Sequence, residues 1–273
     1  MEFVQPQVFH VAQTRIMEPG MQAYFDALGI PDWVTDAPTD AERLIEVFGR
    51  GCYRSFQVGM NKNVTKIREG NAPYLKNIQN TRHGSVIEHA TDSYVFLHCS
   101  RVLTHELVRN RIGNGFSQES LRYVRLDKLK SWFPKVLAEH PASEQIKAFY
   151  QSVFETLEGA QVTMSTILDI ENVPDFKTKK KLTSAMRRLA PIGLATMIAY
   201  TGNHRSIRWA IEQRTDDVAE EEIRMVFGQV AEEQMRCYPN LYQDMESEIV
   251  DGLPKYWFGK RCPTCGYAAH SKI

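Results

Sequence analysis

The stretch SYVFLHCSRVLTHELVRNRIGNGFSQESLRYVR, Ser93 to Arg125, decides how this chain is built. Its opening, Ser93 to Cys99, is aromatic and apolar and reads as a strand. From Ser100 to Ile112 the apolar positions Leu103, Leu107 and Val108 recur at helical spacing, which predicts a helix. Gly113 and Gly115 break that helix and open a loop. The loop carries Ser117, Gln118, Glu119, Ser120, Arg122 and Tyr123, and the helix end before it carries Arg109 and Arg111. Guanidinium forks suit phosphate oxygens and carbonyl edges, and neighbouring hydroxyls and amides add directional donors and acceptors. Such a segment is suited to holding a phosphorylated small molecule on a loop braced by rigid elements.

Working outward, Thr39 and Glu42 have capping-box spacing and open a helix to about Phe48. Pro141 precedes a long amphipathic helix whose apolar positions include Ile146, Phe149, Val153, Leu157, Met164 and Leu168. A helix is expected over residues 176–189, ending before Pro191. Ile192 to Tyr200 is nearly all apolar and fits either a buried strand or a short buried helix. Asn203 to Arg214 reads as a further helix, and Asp216 and Asp217 open the next, with acids suited to its first turn. Long helices with a few aromatic strands indicate an α+β fold. Residues 1–250 read as one catalytic domain, with 251–273 as a small separate tail.

Composition narrows the function. Lys+Arg and Asp+Glu balance at 33 each over 273 residues, so a nucleic-acid partner, which would call for a basic excess, is disfavoured. No apolar run approaches the roughly 20 residues of a membrane helix, and the first residues show no secretory pattern. Five cysteines are too few and too scattered for a disulfide framework, so a cytoplasmic protein is expected. There is no glycine-rich phosphate loop, so side chains would have to grip a nucleotide.

Two further groups of residues carry chemistry. Arg82-His83-Gly84-Ser85 leads to Glu88-His89 just before the strand; the two histidines are six apart, which is not a helical metal-ligand spacing. Arg187, Arg205 and Arg214 lie on elements joined by short connections. Cations brought together repel, and a bound anion would neutralise them. The competing reading is ordinary ion pairing with Glu212, Asp216 or Asp217.

Taken together, these pieces resemble the flavin-dependent thymidylate synthase family. The family's Arg-His-Arg signature, followed by Ser-x-Arg-Tyr, is similar to Arg109-Asn110-Arg111 leading to Ser120-Leu121-Arg122-Tyr123. His83-Gly84-Ser85 with Glu88-His89 resembles the upstream element. Arg187, Pro191, Asn203, Arg205 and Arg214 resemble the downstream one. The resemblance implies a largely antiparallel sheet flanked by long helices, and a homotetramer with active sites at subunit interfaces. It implies methylation of deoxyuridylate (dUMP) to dTMP, using FAD, methylenetetrahydrofolate as one-carbon donor and NADPH as reductant. By position, Glu106, Ser120, Arg122, Tyr123, Arg187 and Arg214 would hold the nucleotide. Arg214 is the candidate catalytic residue, stabilising the pyrimidine anion. His83, Ser85, Arg109, Asn110, Arg111, Gln118, Asn203 and Arg205 would contact the flavin.

The chain departs from the family at several points. Asn110 stands for the signature histidine, one extra residue separates Arg111 from Ser120, and Ser184 and Trp209 replace a frequent glutamate and asparagine. These changes leave two other readings open: modification of another pyrimidine nucleotide, or a catalytically silent nucleotide-binding homologue. The tail adds Cys262 and Cys265, half of a zinc site, with His270 as a third ligand and Cys237 as a fourth if the tail folds back.

Overall fold

The computed structural model describes residues 1–123 and 126–259. The chain starts with a two-residue strand, β1 (Glu2–Phe3), and an exposed-edge strand, β2 (Gln7–Gln13). Helix α1 (Glu18–Leu28) ends at Gly29, whose φ of 72° supplies the left-handed cap. Helix α2 (Asp40–Tyr53) begins where the capping box predicts: the Thr39 hydroxyl accepts from the Glu42 amide and donates to the Glu42 carboxylate. It runs one turn beyond the expected end.

Buried charges on α2 are paired. Arg50 donates to Glu46 at 2.8 Å and lies over the Tyr74 ring at 4.5 Å. Glu42 accepts from the amides of Asn240 and Leu241, tying this helix to the far end of the chain. Helices α3 (Asn71–Asn80) and α4 (Gly84–Ile87) then lead into β3 (Thr91–Ser100).

The sequence reading of β3 holds and extends by a residue or two at each end. Its inward positions Tyr94 and Phe96 are fully buried against Tyr200 and Phe227. Each such side chain stabilises the fold by about 1.5–3 kcal/mol. Helix α5 (Arg101–Leu107) follows, capped by the Ser100 hydroxyl at the Leu103 amide. It is shorter than the periodicity predicts, because Val108 to Gly113 turns away. The expected loop after Gly113 is instead a strand, β4 (Asn114–Gln118), pairing antiparallel with β6 (Ala195–Asn203). The glycines bend the chain into the sheet here, and Gly113 has a φ of 72°.

Between them come β5 (Lys130–Ser131), α6 (Lys135–Ala138), α7 (Ser143–Ile167) and α8 (Phe176–Met186), the last continuing as a 3-10 turn through Arg187 to Leu189. Residues 195–203 resolve as strand, not helix, and complete an antiparallel four-stranded sheet of order β2-β3-β6-β4. The fold is α+β, as the element pattern implies. Along α7 only Phe154 and Gln161 are buried; Phe149 and Val153, expected on a core-facing stripe, are exposed.

Helices α9 (His204–Arg214) and α10 (Glu221–Cys237) cover one face of the sheet. Helix α10 starts at a Glu220 cap, not at Asp216 and Asp217, because both aspartates pair with Lys255. Strands β7 (Met245–Val250) and β8 (Leu253–Phe258) form a hairpin through Asp251 and Gly252, both at positive φ, as a tight Asp-Gly turn requires. Tyr256 of β8 is buried in the main core. The chain beyond Asp251 therefore joins the body as far as Phe258. Cys262, Cys265 and His270 lie outside the described residues.

Candidate active site

The segment after α5 lies along α9. At one end Arg214 donates to the Glu106 carbonyl at 2.7 Å, to the Glu106 carboxylate at 3.3 Å and to Asn110 Oδ1 at 2.6 Å. At the other end the Ser206 hydroxyl donates to the Ile112 carbonyl, and the Asn203 amide donates to the Gly113 carbonyl. Residues 110–113 thus run antiparallel to α9, from its last residue to its cap. Arg109 and Arg111 flank this strap in solvent. The ion partners expected for Arg214, near it in sequence, are not the ones it takes: Glu106 lies 108 positions earlier.

Burial lowers the Arg214 pKa; Glu106 opposes that shift and Arg109 adds to it. The guanidinium remains a cation. Its Nε and the Nδ2 of Asn110 are buried without a hydrogen-bond partner among the described residues. Asn110 is 1% exposed, so an unmet donor there is costly unless something else meets it.

At the opposite end of β4 the chain reaches a second group. Gln118 donates to the Thr104 hydroxyl at 2.9 Å, which fixes the strand end against α5. Beyond it, Arg101, Gln118, Glu119, Ser120 and Arg187 line an open cavity of about 410 Å³. Arg122, Tyr123 and Arg187 line an adjoining one of about 460 Å³ together with Lys179, Lys180 and Thr183. Arg187 and Leu121 line both, so the two cavities adjoin, with Ser120 on one and Arg122 on the other. Arg109, Arg111, Arg122 and Arg187 are exposed, and none makes an ion pair among the described residues.

Lys179 and Lys180 join the cavity from α8, which meets the Arg122 turn where the Thr183 hydroxyl donates to the Arg122 carbonyl at 3.1 Å. The lysine run on α8 was the only local signal for them. Lys180 holds the Tyr123 hydroxyl, pulling its pKa below the ordinary value, and Phe176 stacks on the Tyr123 ring at 6.4 Å.

The third group gathers where α4 meets the first turn of α9. Arg205 bonds Glu88 at 2.5 Å, and a Cβ added to Gly84 would meet the Arg205 Nε at 2.8 Å. The His83 ring stacks on Tyr53 at 5.7 Å, and Ser85 is exposed beside it. Arg205 is thus ion-paired, but with Glu88, where the competing reading had Glu212, Asp216 or Asp217. Arg205 and Arg214 sit at opposite ends of α9, about 13 Å apart along its axis. Within one chain Arg187 and Arg122 share a cavity, whereas Arg214 lies outside it.

Against this geometry the comparisons are decisive. The family described as thymidylate synthase complementing protein matches residues 34–240. The chain belongs to the flavin-dependent thymidylate synthase family. It is 31% identical over 251 residues to the flavin-dependent thymidylate synthase of Mycobacterium bovis, covering 89% of this chain and 95% of that one. It is 30% identical over 223 residues to the one from Corynebacterium diphtheriae, covering 80% and 85%. Among solved structures, the fold is similar to a UMP/dUMP methylase from Streptomyces cacaoi bound with 5-Br dUMP. That match has a TM-score of 0.61 at 13% identity, over 89% of this chain and 96% of that one. It is also similar to thymidylate synthase X from Helicobacter pylori with FAD and dUMP. There the TM-score is 0.55 at 18% identity, over 86% and 99%.

The family resemblance read from three short elements is therefore that of most of the chain. No helix among the described residues is long and apolar enough to cross a membrane.

Proposed function

We propose that this chain methylates dUMP to dTMP, taking the one-carbon unit from methylenetetrahydrofolate and reducing equivalents from NADPH through FAD. The observation that carries the reading is the pair of adjoining cavities that share Arg187, with half-buried Ser120 on one and exposed Arg122 on the other, both guanidiniums free of an ion pair among the described residues. A phosphate there would accept from two guanidinium forks and a hydroxyl, each charge-assisted bond contributing about 1.5–3 kcal/mol.

Bound FAD would supply the hydride that completes the methyl group. The residues present fit it: Arg109 and Arg111 offer unpaired charge beside the strap, and the unmet Asn110 Nδ2 offers a buried donor. The Asn203 amide donates to the Gly113 carbonyl and keeps the two backbones close beside them. His83, Ser85 and Arg205 would contact another part of the same cofactor, and Gln118 would meet flavin or nucleotide at the β4 end.

Arg214 would face the pyrimidine. Its cation favours loss of the N3 proton by stabilising the anion left behind, and Glu106 and Asn110 fix its direction. Tyr123 and Glu106 would complete the nucleotide's polar surroundings.

Arg214 and the Arg187 hollow lie apart in one chain, so the site would be completed by a second copy, within a homotetramer. The uncovered apolar residues support this: Phe149 is 71% exposed and Ile112 88%. A second copy packed over either one would take it out of water.

The test is direct. The purified protein should be yellow with FAD, and dUMP, methylenetetrahydrofolate and NADPH together should yield dTMP by mass spectrometry. UMP in place of dUMP tests the other acceptor that Asn110 leaves open. FAD binding with no methylated product from either nucleotide would overturn the proposal.

A further inference from the structure

His10, Glu233 and Cys237 gather outside the site described above, with their ligand atoms within 4.8 Å of one another. Glu233 and Cys237 are four residues apart on α10 and so share a face. His10 reaches them from β2, next to the bulge between His10 and Ala12. Its ring is held by stacking on Tyr94 at 4.8 Å.

The ring's two nitrogens have different surroundings. Nε2 faces the Ala12 carbonyl at 3.1 Å and the Asp92 carboxylate at 3.5 Å. Both are acceptors, so Nε2 carries a proton. Nδ1 faces Glu233 Oε1 at 3.4 Å and lies 4.0 Å from Cys237 Sγ, and the Cys237 thiol donates to the same Oε1 at 3.3 Å. A cation that takes the place of the protons between these atoms would meet three donor atoms at one point.

The spacing selects the cation. A tetrahedral zinc with bonds of about 2.0–2.1 Å to nitrogen and oxygen and about 2.3 Å to sulfur sets ligand separations of about 3.3 Å for N to O and about 3.6 Å to S. The observed triangle matches these within a few tenths of an ångström. Imidazole, thiolate and a single carboxylate suit a borderline-soft ion and not calcium or magnesium, which prefer all-oxygen shells.

The outer shell is present as well. Asp92 is 1% exposed and held by the Tyr238 hydroxyl at 2.7 Å and Gln234 at 2.6 Å. It orients the far side of the His10 ring, as carboxylates behind metal-bound histidines do. Arg236 now bonds Glu233, but it is 71% exposed and can turn into solvent.

We propose that His10 Nδ1, Glu233 and Cys237 bind one zinc ion, with water as the fourth ligand. Binding displaces the proton of the Cys237 thiol and any proton on His10 Nδ1, and these leave to solvent. The ion would clip the edge strand β2 to the last turn of α10, so its binding energy adds to fold stability.

The test uses the full chain carrying Cys262→Ser and Cys265→Ser, which removes the cysteines of the tail. After chelation and dialysis, this protein should retain or take up one equivalent of zinc. Cobalt(II) in its place should give tetrahedral d–d bands and a thiolate charge-transfer band. The difference between cobalt- and zinc-loaded protein cancels flavin absorbance. Adding Cys237→Ser or His10→Gln should abolish the charge-transfer band or the stoichiometric uptake, and should remove the rise in Tm on zinc addition. Less than stoichiometric zinc in the Cys262→Ser/Cys265→Ser chain overturns the proposal, whatever the other variants do. So does an unchanged cobalt spectrum in the Cys237→Ser chain.

Discussion

Arg214 donates to the side-chain oxygen of Asn110 at 2.6 Å, across 104 positions of sequence. This bond joins the last residue of one helix to the departure from the family's Arg-His-Arg signature. A neutral asparagine can accept from a guanidinium as a neutral histidine can, but it cannot hold a proton of its own. On the proposed function, Asn110 would position Arg214 at the pyrimidine. Asn110→Ala should lower kcat by roughly tenfold or more while dUMP affinity changes little, since about 1.4 kcal/mol of orientation is lost at the reacting ring. Asn110→His should recover most of that rate. A common drop in kcat for both variants, with circular dichroism unchanged, would rule out acceptance of this one bond as the function of Asn110.

Removing Arg187 should separate nucleotide binding from flavin binding. Arg187 lines both cavities at the Ser120 turn, while Arg109 and Arg111 lie at the other end of β4. Arg187→Ala should weaken dUMP binding by about 10–100-fold, the worth of a charge-assisted phosphate contact, with FAD content unchanged. Arg109→Ala with Arg111→Ala should do the reverse. Calorimetry with dUMP and absorbance of the purified variants read the two effects independently, and equal losses of both ligands in Arg187→Ala would contradict the assignment.

Much of this arrangement could be read from residues alone, and the exceptions have physical causes. Thr39 and Glu42 carry their signal locally, so the start of α2 was legible; Asn203 likewise caps α9 through the Ser206 amide. Strand β4 was not, because Asn-Gly-Phe-Ser-Gln has little strand propensity. Its conformation comes from pairing with β6, which tertiary contact supplies. The β7–β8 hairpin did announce itself, through Asp251-Gly252 between apolar runs, but a tail reading hid it. The partners of Arg214 were beyond reach of any local rule, since Glu106 and Asn110 meet it only after the sheet has formed. The residues matching the family signatures were the most legible part of the candidate site. Lys179 and Lys180 were less so, because a lysine run looks the same on any solvated helix.

Gly113 should tolerate no side chain. Its φ of 72° is strained for any residue with a Cβ, and that carbon would lie 2.5 Å from Asn203 Nδ2 and 2.7 Å from Ser206 Oγ. Both are groups that hold the turn between the strap and α9. Gly113→Ala should destabilise the fold by about 1–3 kcal/mol and, by shifting Asn203, lower FAD content. Thermal unfolding together with bound flavin after gel filtration measures both. Full flavin occupancy in a destabilised variant would count against placing Asn203 at the flavin.

Glu222 makes stability depend on pH in an identifiable direction. Its carboxylate is buried at the junction of β3 and α5, where the Ser100 amide donates to it at 2.7 Å and the Ser100 hydroxyl donates to its other oxygen. Burial raises its pKa from the ordinary 4.5 to about 7; the two Ser100 bonds oppose the shift and Glu220 adds to it. The folded chain therefore holds this proton more tightly than the unfolded chain. The cost of ionisation is absent below pH 4.5 and grows until the group is ionised near 7, reaching roughly 3 kcal/mol. Glu222→Gln cannot ionise, and its amide can still meet the Ser100 hydroxyl. Relative to the parent chain, Glu222→Gln should gain stability steadily as pH rises from 4.5 to 7 and level off above. Urea midpoints for both chains across that range give the difference directly. A difference that stays flat would mean that the Ser100 bonds keep Glu222 ionised throughout.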